Sequence, residues 1–194
     1  MTMIDPAIVP QRTLYTGAKM PAVGMGTFGS DHADADAVSA SVAGALRVGY
    51  RSFDCAACYG NEDMIGKIFA DAFAEGIVKR EELFIASKVW NDMHGDGDVL
   101  IACAKTLKDL KLDYLDMYYV HSPFPNYHAP HCDVDSRNPD SKPFTVERFM
   151  KTWRQMERLV DMGLTKHIGM SNMTIPKLEA VLPLCRIKPA AIEM

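Results

Sequence analysis

No apolar run in this chain approaches the ~20 residues that span a bilayer, and its opening stretch, "MTMIDPAIVP", lacks the charged-then-apolar layout of a secretion signal. The expectation is a cytoplasmic protein with no membrane partner. Excess basic charge is missing too. With 21 Lys and Arg against 25 Asp and Glu, the net charge is −4, so no basic stripe is present to release counterions from nucleic acid or to dock on anionic lipid. Small ligands are the expected partners. Cysteine is sparse and odd in number, five residues with no C-x-x-C besides Cys55 and Cys58, which speaks against a secreted disulfide framework and a four-thiolate zinc site. Also lacking is the glycine-rich turn that opens a helix in dinucleotide-binding folds: "GMGTFG" holds Gly24, Gly26 and Gly29, but the third glycine precedes an acidic loop. No low-complexity linker divides the chain.

What is present is material for one sizeable core: 194 residues, 48% hydrophobic and 24% charged, read as a single domain over 1–194. A hairpin is expected over 12–23, around Thr16-Gly17-Ala18-Lys19, followed by a short strand running to Phe28. From there helices and strands alternate: helix 34–49, strand 50–54, helix 61–76, strand 83–89, helix 98–112, strand 115–121, helix 145–163, strand 166–172, helix 175–185, and a last strand beginning in "AAIEM". Gly49, Gly76 and Gly163 stand where helices stop. The stretch 122–144 is too polar and proline-rich for a regular element and reads as a long loop. Strands separated by helices imply parallel β-α units, closed as an eight-stranded barrel or opened as a doubly wound sheet.

Polar residues at strand ends favour the barrel, whose chemistry is assembled at the C-terminal ends of several strands. Asp54 closes the second strand, Lys88 follows "LFIAS", His121 follows "YYV", and Ser171-Asn172 follow "HIGM". One such residue is often structural; four in register point to a pocket. The thiols of "FDCAACYGNE" read as packing residues, since a redox C-x-x-C needs a helix N-terminus in a thioredoxin-like setting. Tyr59 is the better proton donor. A free phenol has a pKa of about 10, the Lys88 ammonium is expected to lower it, and Asp54 to hold that lysine charged and oriented. His121, neutral or protonated, would donate to or orient a substrate oxygen as negative charge builds on it.

Asp54 in "FDCA", Tyr59 in "YGNE", Lys88 in "SKVW" and His121 in "YYVHSP" resemble the catalytic tetrad of the aldo-keto reductases. "TGAKMPAVGMGTF" resembles that family's opening hairpin and first strand, and "MERLVDMGLTKHIGMSN" the approach to its nicotinamide-contacting Ser-Asn pair. The resemblance implies reduction of aldehydes or ketones by hydride from NADPH, NADH being the other nicotinamide that would serve. It implies Tyr59, Lys88, Asp54 and His121 as catalytic residues. Gly26, Thr27, Phe28, Asp54, Ser171, Asn172 and Glu193 would bind the cofactor, and Phe28, Trp90, His121 and Ser122 the substrate. Two departures stand out. Glu193 falls where the family commonly has a Gln, and a carboxylate cannot donate to the carboxamide carbonyl unless protonated. Ser122 replaces a common Trp and thins one wall.

His128, His131, Cys132 and Asp133 look like metal ligands at first sight, but H-x-x-H-C in a loop has no frame to fix its geometry, and no metal is expected. A barrel takes about 250 residues. The chain reads as five complete units and the start of a sixth strand, so an N-terminal fragment is expected, doubtful in activity by itself, with its interior open to water. On the family pattern, the loop that separates NADPH from NADH would lie beyond Met194. The alternative function is a non-catalytic relative that keeps the fold as a regulatory nucleotide-binding module.

Overall fold

The structure, a computed structural model, describes residues 4–29, 32–123 and 142–194. Strands β1 (Gln11–Thr13) and β2 (Lys19–Pro21) pair antiparallel around Gly17, giving the expected hairpin. Strands β3 (Met25–Gly26), β4 (Ser52–Asp54), β5 (Phe84–Val89), β6 (Leu115–Val120), β7 (Thr165–Ser171) and β8 (Ile192–Glu193) form one parallel sheet whose spatial order is the chain order. Unbroken sequential order is the arrangement of a β/α barrel; a doubly wound sheet reverses its order at a switch point. The crossovers are α1 (Ala35–Val48), α2 (Glu62–Ala74), α3 (Asp98–Leu110), α4 (Val146–Asp161) and α5 (Ile175–Val181).

Local chemistry explains where these elements start and stop. Asp34 caps α1 by accepting from the Ala37 amide at 2.8 Å, and Gly49 closes it at φ 109°, where a Cβ would stand 2.4 Å from the Ile4 carbonyl oxygen. Helix α3 ends without a glycine: Lys111 takes the left-handed conformation at φ 55°, so the sequence carried no stop signal there. Helix α5 ends four residues before the expected Cys185, giving way to a 3-10 turn over Leu182–Leu184. Pro183 is the reason, since its ring opposes the carbonyl four residues back.

The strands alternate between two apolar clusters. Along β5, Ile85 and Val89 join the layer between sheet and helices, with Phe69, Leu107, Trp153 and Met156 among its members. Phe84 and Ala86 point the other way, into the interior, with Met117 and Tyr119 of β6. Leu14 from the hairpin turn joins this inner cluster. The expectation that the interior opens to water therefore fails across the middle of the sheet, because the hairpin covers it from below. On β8 the exposed side chain is Ile192, which pairs with Met170 of the outer layer and so lies on the helix side of the sheet. Gly169 on β7 makes room for the inner Tyr119: a Cβ there would lie 2.3 Å from the tyrosine ring. At the N-terminal strand ends, Asp116 accepts from Arg80 at 2.8 Å, from the Ile85 amide at 3.0 Å and from Lys166 at 2.9 Å, fastening β5, β6 and β7 together.

Candidate active site

Two-residue steps along neighbouring strands bring the sequence-selected side chains to one place. Register sets Gly26 beside Asp54, Asp54 beside Ala86, Lys88 beside Tyr119, Tyr119 beside Gly169, and Ser171 beside Glu193. Lys88, two residues beyond Ala86, therefore projects inward, and so does His121, two beyond Tyr119. Tyr59 enters from the 3-10 turn Ala57–Tyr59 that follows β4.

Lys88 is the centre of the cluster and has no solvent exposure. Its Nζ donates to Asp54 Oδ2 at 2.6 Å, to the Cys55 carbonyl at 3.1 Å and to the Tyr59 hydroxyl at 3.4 Å. An aromatic row borders it: Phe28 and Tyr59 have ring centroids 5.0 Å apart, Tyr59 and His121 5.9 Å, and Trp90 and His121 4.8 Å. Asp54, Tyr59, Lys88 and His121 thus meet, with Phe28 and Trp90 flanking them.

Burial works to lower the lysine's pKa, yet Asp54, Tyr59 and Glu193 together hold it above the ordinary lysine range. It is an ammonium at all working pH values. Tyr59 departs from expectation. Burial pushes its phenol up from the usual value, and Lys88 pulls down without overcoming that penalty. The sequence supplied the cation but not the depth of burial. His121 is held to about 3 by burial and by Lys88, so its imidazole is neutral. Its Nδ1 lies 3.6 Å from Cys58 Sγ. That thiol is pushed up to about 12, mainly by burial, and keeps its proton; Cys55 and Cys58 are both free.

Residues 22–194 match the model of the aldo/keto reductase family. The chain belongs to the aldo/keto reductase family. It is 46% identical over 177 residues to an aldo/keto reductase of Synechocystis sp., covering 91% of this chain and 53% of that protein. To the NADPH-dependent D-xylose reductase of Candida boidinii it is 39% identical over 193 residues, covering 95% of this chain and 58% of the relative. A solved structure of a Bombyx mori aldo-keto reductase in complex with NADP superposes with a TM-score of 0.80 at 32% identity, over 95% of this chain and 57% of that one. The chain spans a little over half the length of the relatives it matches, and its fold is the aldo-keto reductase β/α barrel type.

The other family-like positions are placed as follows. Thr27 is fully buried, and its hydroxyl donates to the Asp54 carbonyl at 3.1 Å while its own carbonyl accepts from Asn61 at 2.9 Å. Its side chain braces β3 against β4 and has no donor left to offer a ligand. Phe28 is well exposed beside Gly26, and Ser122 is half-buried just after His121. Asn172 sits in the left-handed region at φ 58° and donates to the His121 carbonyl at 2.8 Å and to Ser171 Oγ at 3.1 Å. Glu193 Oε1 lies 3.5 Å from Lys88 Nζ, an ion pair the sequence did not announce.

A second missed residue is Glu62, almost wholly buried, which accepts from Ser87 at 2.6 Å and from Thr106 at 3.0 Å. It stands in the first turn of α2, and no motif of the sequence pointed to it. Among the described residues no group of three or more His, Cys, Asp or Glu is disposed to hold a metal ion. His128, His131, Cys132 and Asp133 lie outside the described residues, as does most of the 122–144 loop. Among the described residues, no helix is long and apolar enough to cross a membrane.

Proposed function

We propose that this chain carries the reaction centre of a nicotinamide-dependent reductase that converts aldehyde or ketone carbonyls of small molecules to alcohols. The observation that supports it most is the chain of contacts from Asp54 through the buried Lys88 ammonium to the Tyr59 hydroxyl, with a neutral His121 beside it. Such a set delivers a proton and orients an oxygen, but no side chain in it carries a hydride. The fit to a dinucleotide rests on two features. Asp54 Oδ1 is buried and has no hydrogen-bond partner among the described residues, an acceptor suited to a ligand hydroxyl. With both hydrogens of the Asn172 amide committed to His121 and Ser171, Asn172 Oδ1 remains to accept from a carboxamide NH2, and the Ser171 hydroxyl remains to donate to its carbonyl. Glu193 adds another acceptor.

The nicotinamide, when bound, supplies the hydride. NADPH is the form named for the D-xylose reductase relative, and NADP for the Bombyx mori structure; we assign NADPH here. Tyr59 gives its hydroxyl proton to the carbonyl oxygen as the alcohol forms, and Lys88 stabilises the phenolate left behind. His121 donates a ring N–H to the same oxygen and fixes the face presented. Phe28 and Trp90 form an apolar lip, and Ser122 leaves the adjoining wall short.

The test is NADPH oxidation by the full-length gene product with a panel of small aldehydes and ketones, alongside nucleotide binding followed by fluorescence. Turnover that requires a carbonyl compound is expected. Tight nucleotide binding with no oxidation across the panel would instead identify a regulatory nucleotide-binding relative.

A further inference from the structure

Two carboxylates, not one, attend the Lys88 ammonium. Asp54 Oδ2 stands 2.6 Å from Nζ and Glu193 Oε1 3.5 Å from it. Asp54 alone would neutralise the lysine, so the second carboxylate leaves the cluster with surplus negative charge around the Tyr59 hydroxyl. Because the same nitrogen lies 3.4 Å from that hydroxyl and 3.5 Å from Glu193, the phenol and the carboxylate oxygen are at most about 7 Å apart. Glu193 is held there by the β7–β8 ladder, opposite Ser171, with its carbonyl accepting from the Asn172 amide at 3.0 Å.

We propose that Glu193 is a second counter-ion of Lys88 that offsets the ammonium's pull on the Tyr59 hydroxyl, so that the site keeps its proton donor to higher pH than glutamine at 193 would allow. An anion close to a phenol disfavours the phenolate. The other groups facing this point sort by sign. Asp54 on β4 acts in the same sense as Glu193, and Lys88 on β5 opposes both. Tyr119 and His121 at β6 are neutral near pH 7, the first pushed up by burial and the second held to about 3, while Cys58 in the 57–59 turn is pushed up to about 12. Burial raises the Glu193 carboxyl from its usual value while Lys88 works against that, and the pH region that matters is the alkaline one in which a phenol loses its proton. The consequence for turnover rests on the reading of Tyr59 as proton donor; the titration does not.

The test uses the nucleotide-free full chain labelled with 13Cζ tyrosine, the Tyr59 signal being assigned by its loss in Tyr59→Phe. Glu193→Gln should lower the Tyr59 midpoint by about one pH unit, the scale of a charge ~7 Å away at an effective dielectric of ~20 with allowance for partial exposure. The alkaline limb of carbonyl reduction should move down with it. Glu193→Ala should shift the same way, which separates loss of charge from any contact made by the glutamine amide and serves if the first variant folds poorly. Superimposed curves for parent and variants, including all of them staying untitrated to pH 11, would overturn the proposal. A shifted midpoint in a protein that reduces no carbonyl would uphold the role of Glu193 and sink the reductase reading instead.

Discussion

Lys88 Nζ lies 3.4 Å from the Tyr59 hydroxyl while its ammonium is sealed from solvent, and the tyrosine is nevertheless harder to ionise than a free phenol. The two facts agree once burial and charge are weighed separately. Desolvation penalises the phenolate more than the cation rewards it, so in this structure Tyr59 holds its proton at neutral pH, the state a proton donor needs.

Tyr59→Phe removes that proton and keeps the ring between Phe28, which it meets at a tilt, and His121, which it meets edge to face. A fall in kcat of about 10²-fold or more is expected, with nucleotide affinity nearly unchanged. Ordinary turnover by this variant, measured as NADPH oxidation under saturating substrate, would remove Tyr59 from the mechanism.

Lys88→Met keeps an apolar stem in the buried channel but withdraws the cation. Burial of Tyr59 persists, so its pKa should rise further above the ordinary phenol value. Asp54 and Glu193 are left facing one another without a counter-ion. Activity near neutrality should collapse, and thermal stability should fall as well. A pH–rate profile that overlays the parent's would make Lys88 a structural residue only.

Cys58 and His121 make a third testable pair. A thiol pushed up to about 12 is a donor at neutral pH, so Sγ–H should point at His121 Nδ1 and leave the ring proton on Nε2. Cys58→Val keeps the bulk and deletes the donor. In 15N spectra of the histidine ring, the parent should show mainly the Nε2–H tautomer and the variant a mixture, with kcat reduced by up to about tenfold. An unchanged tautomer would show that the thiol is packing alone.

Much of this site was legible because barrels place polar residues directly after apolar runs: Asp54 and Ser171 are the last residues of β4 and β7, Lys88 is next to last in β5, and His121 directly follows β6. The alternation of strands and helices left a barrel and a doubly wound sheet both open, and these polar strand ends were what favoured the barrel. What stayed hidden depended on depth and on partners distant in sequence. Nothing in "YGNE" says that Glu62 faces Ser87 and Thr106, nothing in "AAIEM" says that Glu193 reaches Lys88, and no stop residue marks Lys111. The direction of the Tyr59 shift was missed for the first of these reasons: a sequence shows which charges are available, but not how much water is excluded around them.

Glu62 bears on stability rather than on the reaction. The carboxyl is raised above the usual range chiefly by burial, while hydrogen bonds from Ser87 and Thr106 lower it. A carboxyl whose folded pKa exceeds its unfolded one contributes stability that is complete below the unfolded value and is lost as pH rises through the folded value. Above the unfolded value the buried carboxyl is therefore a liability, kept in place by two hydroxyls that link α2 to β5 and α3. Ser87 stands next to Lys88 and faces the opposite side of β5, so this anchor also fixes the strand that presents the ammonium. Glu62→Gln removes the charge and keeps a group the two hydroxyls can bond. It should raise the melting temperature by at least ~2 °C at pH 7 to 8, with the gain shrinking towards pH 4 as the parent takes up its proton. Glu62→Ala should behave oppositely at every pH, since it leaves Ser87 and Thr106 without their acceptor at a cost of about 2–4 kcal/mol. Melting curves across that pH range decide the matter: a glutamine variant destabilised at pH 8 would mean that the carboxylate is favourably paired in the folded chain and that burial is not the dominant influence on it.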